Sequence, residues 1–127
     1  MPLQTTILPT APDAFAPDGS EVRLLAALGG GSFAHFTLGP GQVSAPVSHR
    51  TVEEIWYVVA GEGEVWRRLG DEESVTLVRP GVALTIPLGT HFQFRAGAEG
   101  LAFVAVTMPP WPGPDEAFPV PGRWMTG

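Results

Sequence analysis

Residues 40–63 read PGQVSAPVSHRTVEEIWYVVAGEG, and this stretch decides the fold. A Pro-Gly turn leads into a short strand that ends at His49, and a polar connection then leads to Glu54. The apolar run 55–60 is rich in β-branched and aromatic residues, which favours a strand buried on both faces. We therefore expect two strands that each direct a metal-ligand type of side chain into one interior.

The rest of the chain repeats short apolar runs between turn residues, and its 16 glycines and 14 prolines supply those turns. We expect residues 64–69 to be the hairpin partner of 55–60 across Gly61-Glu62-Gly63. About nine short strands with regular turn signals predict an all-β sandwich or closed barrel. The predicted strands are 21–28, 32–38, 42–48, 55–60, 64–69, 75–79, 82–86, 91–95 and 101–107.

Composition limits the class of protein. A chain of 127 residues is long enough for one core. The absence of cysteine excludes disulfides and thiolate ligands, and the absence of lysine excludes Schiff-base chemistry. A net charge of −6 without a basic cluster argues against nucleic acid as a partner. We read no signal peptide and no membrane span, and we expect a cytoplasmic location.

Both ends of the chain are rich in proline. We expect residues 1–20 to form an extended arm and 21–108 to form the single barrel domain. Residues 109–127 form a Pro/Trp-rich tail, whose prolines we expect to prevent regular strand pairing. The tail's Trp111, Phe118 and Trp124 are too apolar to remain in water, so we expect the tail to pack on the barrel or on a partner subunit.

Two spaced motifs resemble those of the cupin family. In the first, Gly41 is followed by five residues, Val47-Ser48-His49, four residues, Glu54, six residues and Gly61. In the second, Gly81 is followed by five residues, Pro87-Leu88-Gly89, two residues, Phe92, three residues and Ala96. The resemblance implies a cupin-type jelly-roll (double-stranded β-helix) barrel with extended Pro-rich termini, in a family that is often dimeric.

The same resemblance implies a metal set at positions 47, 49, 54 and 92. Here these positions carry Val47, His49, Glu54 and Phe92, so two of the four ligand types are replaced. A turn shorter by one residue would instead bring His91 inward, because a one-residue slip reverses every side chain of a strand. His49, Glu54 and His91 would then suit divalent iron, manganese, nickel or zinc. Both registers stay open at this point.

Without a metal, the interior is an apolar pocket with two polar groups, the usual form of a small-molecule site. His49 and Glu54 are the catalytic candidates, since the two could pair and serve as general acid or base. The predicted pocket consists of Val47, His49, Glu54, Trp56, Phe92 and Phe94.

Three functions therefore remain. The preferred one is a cupin-like protein that binds a small organic ligand at a degenerate metal site. The second is a metal-dependent enzyme of the dioxygenase or isomerase type that uses His49, Glu54 and His91. The third is a non-catalytic homodimer whose C-terminal tail carries the interaction.

Overall fold

The structure, a computed structural model, describes residues 3–126. Nine antiparallel strands form one curled sheet, which confirms the all-β prediction. A single 3₁₀ turn, Pro114–Glu116, precedes the last strand. The strands are β1 (Ala14–Phe15), β2 (Glu21–Leu28), β3 (Gly31–Leu38), β4 (Val47–His49), β5 (Glu53–Leu69), β6 (Glu72–Val78), β7 (Ala83–Ile86), β8 (His91–Met108) and β9 (Ala117–Pro119).

Two long strands organise the barrel. β5 and β8 pair from Glu53 opposite Met108 to Arg68 opposite His91. Their register shifts twice, between Val58 and Ala60 and between Gly61 and Gly63. Both strands bend there. The first half of each strand therefore lies on one side of the curled sheet and the second half lies on the other side. The beginnings and ends of β5 and β8 therefore meet at one end of the barrel, and their bends lie at the other.

The predicted hairpin across residues 61–63 is wrong. β5 continues through this segment, and residues 64–69 pair with β6 and with the first half of β8. Gly61 has a positive φ of 73°, and a side chain there would collide with the carbonyl oxygen of Gly100. Glycine at this position therefore permits a bend and a close approach of two strands, which its turn-like sequence does not distinguish from a hairpin.

The predicted strand 42–48 is also shorter in the structure. Only Val47–His49 forms regular pairs, while Val43 makes one isolated bridge to Arg95.

Alternate residues of the long strands fill the interior. Trp56 and Val58 of β5 face inward with Phe92 and Phe94 of β8, while Ile55 and Tyr57 face out. The Trp56 ring stacks on Phe103 with 3.9 Å between centroids. A small barrel of this kind is filled by its own side chains. The candidate polar residues His49 and Glu54 lie at one end of this packed core.

The C-terminal segment belongs to the sheet. β9 pairs with β4, with Pro119 opposite Val47 and Ala117 opposite His49. The expectation that prolines prevent pairing here is wrong, because β9 is the edge strand of the sheet and its outer side needs no N–H donor. Beyond β9, the backbone N–H groups of Arg123 and Trp124 donate to Gln93 Oε1, which holds the tail against the outside of β8.

The N-terminal arm follows the other edge of the sheet. The Arg23 guanidinium donates to the carbonyl oxygens of Pro9 and Thr10, and the Leu24 N–H donates to the Asp13 carboxylate. Residues 3–126 contain no helix that is long and apolar enough to cross a lipid bilayer.

Candidate functional site

Glu54 lies near the start of β5 with its carboxylate turned into the barrel, and the residue is 6% exposed. Its Oε1 accepts a hydrogen bond of 2.9 Å from Trp56 Nε1, and its Oε2 accepts one of 2.7 Å from Thr107 Oγ1. The register explains both contacts, because Thr107 lies opposite Glu54 and Trp56 follows on the same face. Trp56 and Thr107 are the described side chains that hydrogen-bond this carboxylate, so of the alternatives considered from the sequence, a pair with His49 is not the one formed.

His49 ends β4 and is 7% exposed. Its ring contacts Phe92 edge-on at 5.2 Å and Trp111 at 5.4 Å between centroids. Its Nδ1 atom is buried and has no hydrogen-bond partner within residues 3–126. An unpaired buried polar atom costs about 1–3 kcal/mol, so this nitrogen is suited to bind a group from outside the chain.

Thr90, just before β8, shares this property and was not singled out by the sequence. It is 2% exposed, and its Oγ1 also lacks a partner in the described part of the chain. Its backbone N–H is used in the turn, where it donates to the Pro87 carbonyl. No sequence signal distinguishes Thr90 from an ordinary turn threonine.

The predicted aromatic pocket is densely filled. Trp56 contacts Phe92 and Phe94 edge-on, with centroid distances of 5.8 and 5.3 Å. Val47 lies opposite Phe92 across the β4–β8 pair. The six predicted pocket residues are thus neighbours in the core, and the polar atoms of His49 and Glu54 lie at its edge.

His91 lies on the opposite face of β8 from Phe92. Phe92 and Phe94 belong to the core, whereas His91 is partly exposed and lies opposite Arg68. The structure therefore does not bring His91 to His49 and Glu54. The described residues include no group of three or more histidine, cysteine, aspartate or glutamate side chains that could hold a metal ion.

A usual catalytic metal site has three protein ligands, and the side chains at the His49 end do not supply three. Val47 and Phe92 offer no donor atom, and both oxygens of Glu54 already accept hydrogen bonds. His49 Nδ1 is the one donor of the proposed metal sets that the described structure leaves buried and unpaired.

Asp18 is a titratable group near this site that the sequence did not indicate. It lies in the turn between β1 and β2, and its Oδ1 accepts hydrogen bonds from the N–H and Oγ of Ser20. Burial raises the pKa of Asp18, the Ser20 hydrogen bonds oppose this, and the negative charge of Glu54 raises it further. The electrostatic effect of His49 on the Asp18 pKa acts in the opposite direction, so Asp18 is within electrostatic range of both site residues.

A strap formed by residues 109–119 covers the His49 end of the barrel. Trp111 of the strap contacts the His49 ring and is 36% exposed, so it lies between that ring and solvent. Glu116 anchors the strap by accepting hydrogen bonds of 2.6 Å from Thr51 N–H, 2.6 Å from Thr51 Oγ1 and 3.0 Å from Val52 N–H. Burial tends to raise the pKa of Glu116, but these hydrogen bonds outweigh it and lower the pKa.

A cavity of about 890 Å³ lies toward the other end of the barrel, near the bends of β5 and β8. Its charged lining residues are Glu62, Glu64, Arg79 and Arg95. Arg95 is already paired with Glu64 at 2.6 Å, and Glu62 and Arg79 are exposed to solvent. We place the candidate site at the His49 end, because the unpaired polar atoms there are buried and those of the cavity are not.

Comparison with known proteins places this geometry in a family. A family model described as "Cupin domain" matches residues 34–107, more than half of the chain. No curated protein matches the sequence.

Solved structures share the fold at low sequence identity. A mutant of the oxalate decarboxylase OxdC of Bacillus subtilis superposes with a TM-score of 0.73 at 18% identity over 81% of this chain and 29% of its own. The capsular polysaccharide assembling protein CapF of Staphylococcus aureus gives 0.68 at 18% identity over 78% and 31%. KdgF of Halomonas sp. gives 0.61 at 22% identity over 71% and 80%.

This chain thus spans less than a third of OxdC and CapF, and its likeness to all three proteins concerns the fold alone. The family match covers both spaced motifs and the strands between them. The chain belongs to the cupin family.

Proposed function

We propose that this cupin domain binds a small organic ligand at the His49 end of the barrel, without a catalytic metal. The observation that carries the proposal is the buried Nδ1 atom of His49, which has no partner within residues 3–126. Around it lie the edges of Phe92 and Trp111, so a ligand there would meet apolar surface and one polar anchor. This combination is typical of small-molecule sites.

A ligand that binds only the folded protein raises its thermal stability, so thermal shift is a suitable screen. We would test chelator-treated protein against a panel of small alcohols, amines and carboxylic acids. The His49→Phe variant keeps an aromatic ring between Phe92 and Trp111 but removes the nitrogen. The His91→Phe variant is the matched control on the outer face.

We expect a hit from the panel to raise the Tm of the wild type and of His91→Phe, and to leave His49→Phe unchanged. An equal shift in His49→Phe would place the ligand elsewhere and contradict the proposal.

The metal-dependent alternative requires His91 beside His49 and Glu54, and the outward position of His91 does not favour it. Metal analysis of the purified protein separates the two functions. Near-stoichiometric iron, manganese, nickel or zinc that is lost in His49→Phe would support the metal enzyme.

We also propose that the domain forms a homodimer through the outer face of β3, β8 and β5. Phe33 of β3 and Ile55 of β5 both lie opposite Val106 of β8, one on each side of it. Tyr57 is two residues after Ile55 on β5 and therefore lies on the same face. Phe33, Ile55 and Tyr57 are 41%, 47% and 50% exposed. The C-terminal tail already contacts its own barrel, so this apolar sheet face is a better candidate for the interaction than the tail.

A further inference from the structure

Two buried polar atoms without partners in the described structure lie at the same end of the barrel. The β4–β8 pair has Val47 opposite Phe92. The same antiparallel register, continued two residues beyond that pair, would set Thr90 opposite His49. Phe92 and Phe94 lie on the core face of β8, and Thr90, the residue before the strand, is also buried. The register therefore predicts that His49 and Thr90 lie near each other.

Both residues have their backbone hydrogen bonds in place. The His49 region of β4 is paired with β9, and the Thr90 N–H donates to Pro87. His49 Nδ1 and Thr90 Oγ1 have no hydrogen-bond partner within residues 3–126. A neutral imidazole nitrogen accepts one hydrogen bond, and a threonine hydroxyl can donate one.

The charges at this end favour a neutral ligand group. The buried Glu54 is an acceptor for Trp56 and Thr107, and the carboxylates of Asp18 and Glu116 both lie within electrostatic range of His49. Arg67 lies opposite Phe92, and its two terminal nitrogens donate to the Thr85 carbonyl and to Thr76 Oγ1, while its Nε has no partner within residues 3–126. The carboxylates of Glu54, Asp18 and Glu116 disfavour a ligand anion at this end.

We propose that His49 and Thr90 together bind one neutral hydroxyl group of the ligand. The ligand hydroxyl donates a hydrogen bond to His49 Nδ1, and its oxygen accepts a hydrogen bond from Thr90 Oγ1. This inference rests on the proposed ligand-binding function and adds to it the polar group that the ligand must carry. Thr90 is a ligand-binding residue on this basis.

The probes are benzyl alcohol, which has the hydroxyl beside an aromatic ring, and benzyl methyl ether, which cannot donate. We expect calorimetry to show that wild type binds benzyl alcohol about tenfold more tightly than the ether, the effect of one well-placed hydrogen bond. Thr90→Val should remove this preference, and Thr90→Ser should restore it. Thr85→Val, an exposed threonine on the outer face of β7, is the matched control and should behave as wild type.

Failure of this inference differs from failure of the proposed function. If benzyl alcohol binds Thr90→Val as tightly as wild type while His49→Phe loses it, the ligand site stands and the shared hydroxyl is overturned. If benzyl alcohol does not bind the wild type, or binds no better than the ether, the hydroxyl inference is overturned, and the wider ligand panel still tests the site.

The unliganded protein gives a second test. Removing a buried hydroxyl that has no partner is nearly neutral or stabilising when the shape is kept, so Thr90→Val should keep or raise the wild-type Tm. A marked fall in Tm would show that protein or ordered water already satisfies the Thr90 hydroxyl, and it would overturn the proposal.

Discussion

At the scale of single residues, the fate of a polar side chain depends on which donors its neighbours supply. Glu54 and His49 occupy positions that resemble those of ligands in the family motif. Glu54 is satisfied by Trp56 and Thr107, whereas His49 Nδ1 lacks a partner in the described structure. The two side chains therefore differ in hydrogen bonding although the motif treats the two positions alike.

Asp18 gives a prediction at this scale. Because its pKa is raised by burial and by Glu54, the ionised form is less stable in the folded protein than in the unfolded chain. This free-energy cost is present at neutral pH, above the raised folded pKa of Asp18. It disappears as the pH falls through that pKa to below the ordinary aspartate pKa of 3.8.

Asp18→Asn keeps an oxygen that accepts the Ser20 hydrogen bonds, so we expect a rise of a few degrees in Tm at pH 7. The gain should shrink as the pH is lowered. Thermal melts from neutral pH down to about the ordinary aspartate pKa measure this, with the exposed Asp71→Asn as control. A lower Tm for Asp18→Asn at pH 7 would show that the carboxylate stabilises the fold.

At the scale of elements, the bends of β5 and β8 create the site. Because β5 is continuous, its first residues, which include Glu54, and its last residues return to the same end of the barrel. β4 is held there between β8 and β9, which brings His49 to the interior and Trp111 over it. The strap thus completes the site from a segment that follows the barrel in sequence.

The bend can be tested at Gly61. Gly61→Ala would meet both a positive φ of 73° and a collision with the Gly100 carbonyl oxygen. Gly81→Ala is the matched control, since its φ of 96° is also positive but the space around it is open. Conformational strain alone costs about 1–2 kcal/mol.

We therefore expect Gly81→Ala to lose about that much free energy of unfolding and Gly61→Ala to lose clearly more, as measured by urea denaturation. Equal losses would mean that β5 and β8 do not approach each other closely at the bend.

At the scale of the whole molecule, the two halves of the sheet's outer face differ in what covers them. The C-terminal segment covers the outside of β8 near Gln93, while Phe33, Ile55 and Tyr57 remain exposed on the other half. A stable dimer typically buries on the order of 800 Å² per partner, and a broad apolar sheet face can provide this.

We expect the wild type to be a dimer and Tyr57→Glu to be a monomer, because a twofold contact would bring two buried charges into the interface. Light scattering after size-exclusion chromatography measures the mass. Leu77→Glu, an equally drastic change at an exposed site on β6, should leave the dimer intact. A Tyr57→Glu protein that stays dimeric would exclude this face.

The sequence by itself determined the strand content, the motif spacing and the family, because alternating hydrophobicity and turn residues are local signals. It also limited the metal set, since Val47 and Phe92 carry no donor atoms whatever the fold.

The tertiary structure decided what depends on residues far apart in the chain. It chose Phe92 over His91 for the interior, gave Glu54 its partners on β5 and β8, and brought Trp111 to His49. The physical reason is that strand register and the path of a bent strand are set by long-range pairing, and a glycine that permits a bend has the same local sequence as one that ends a strand.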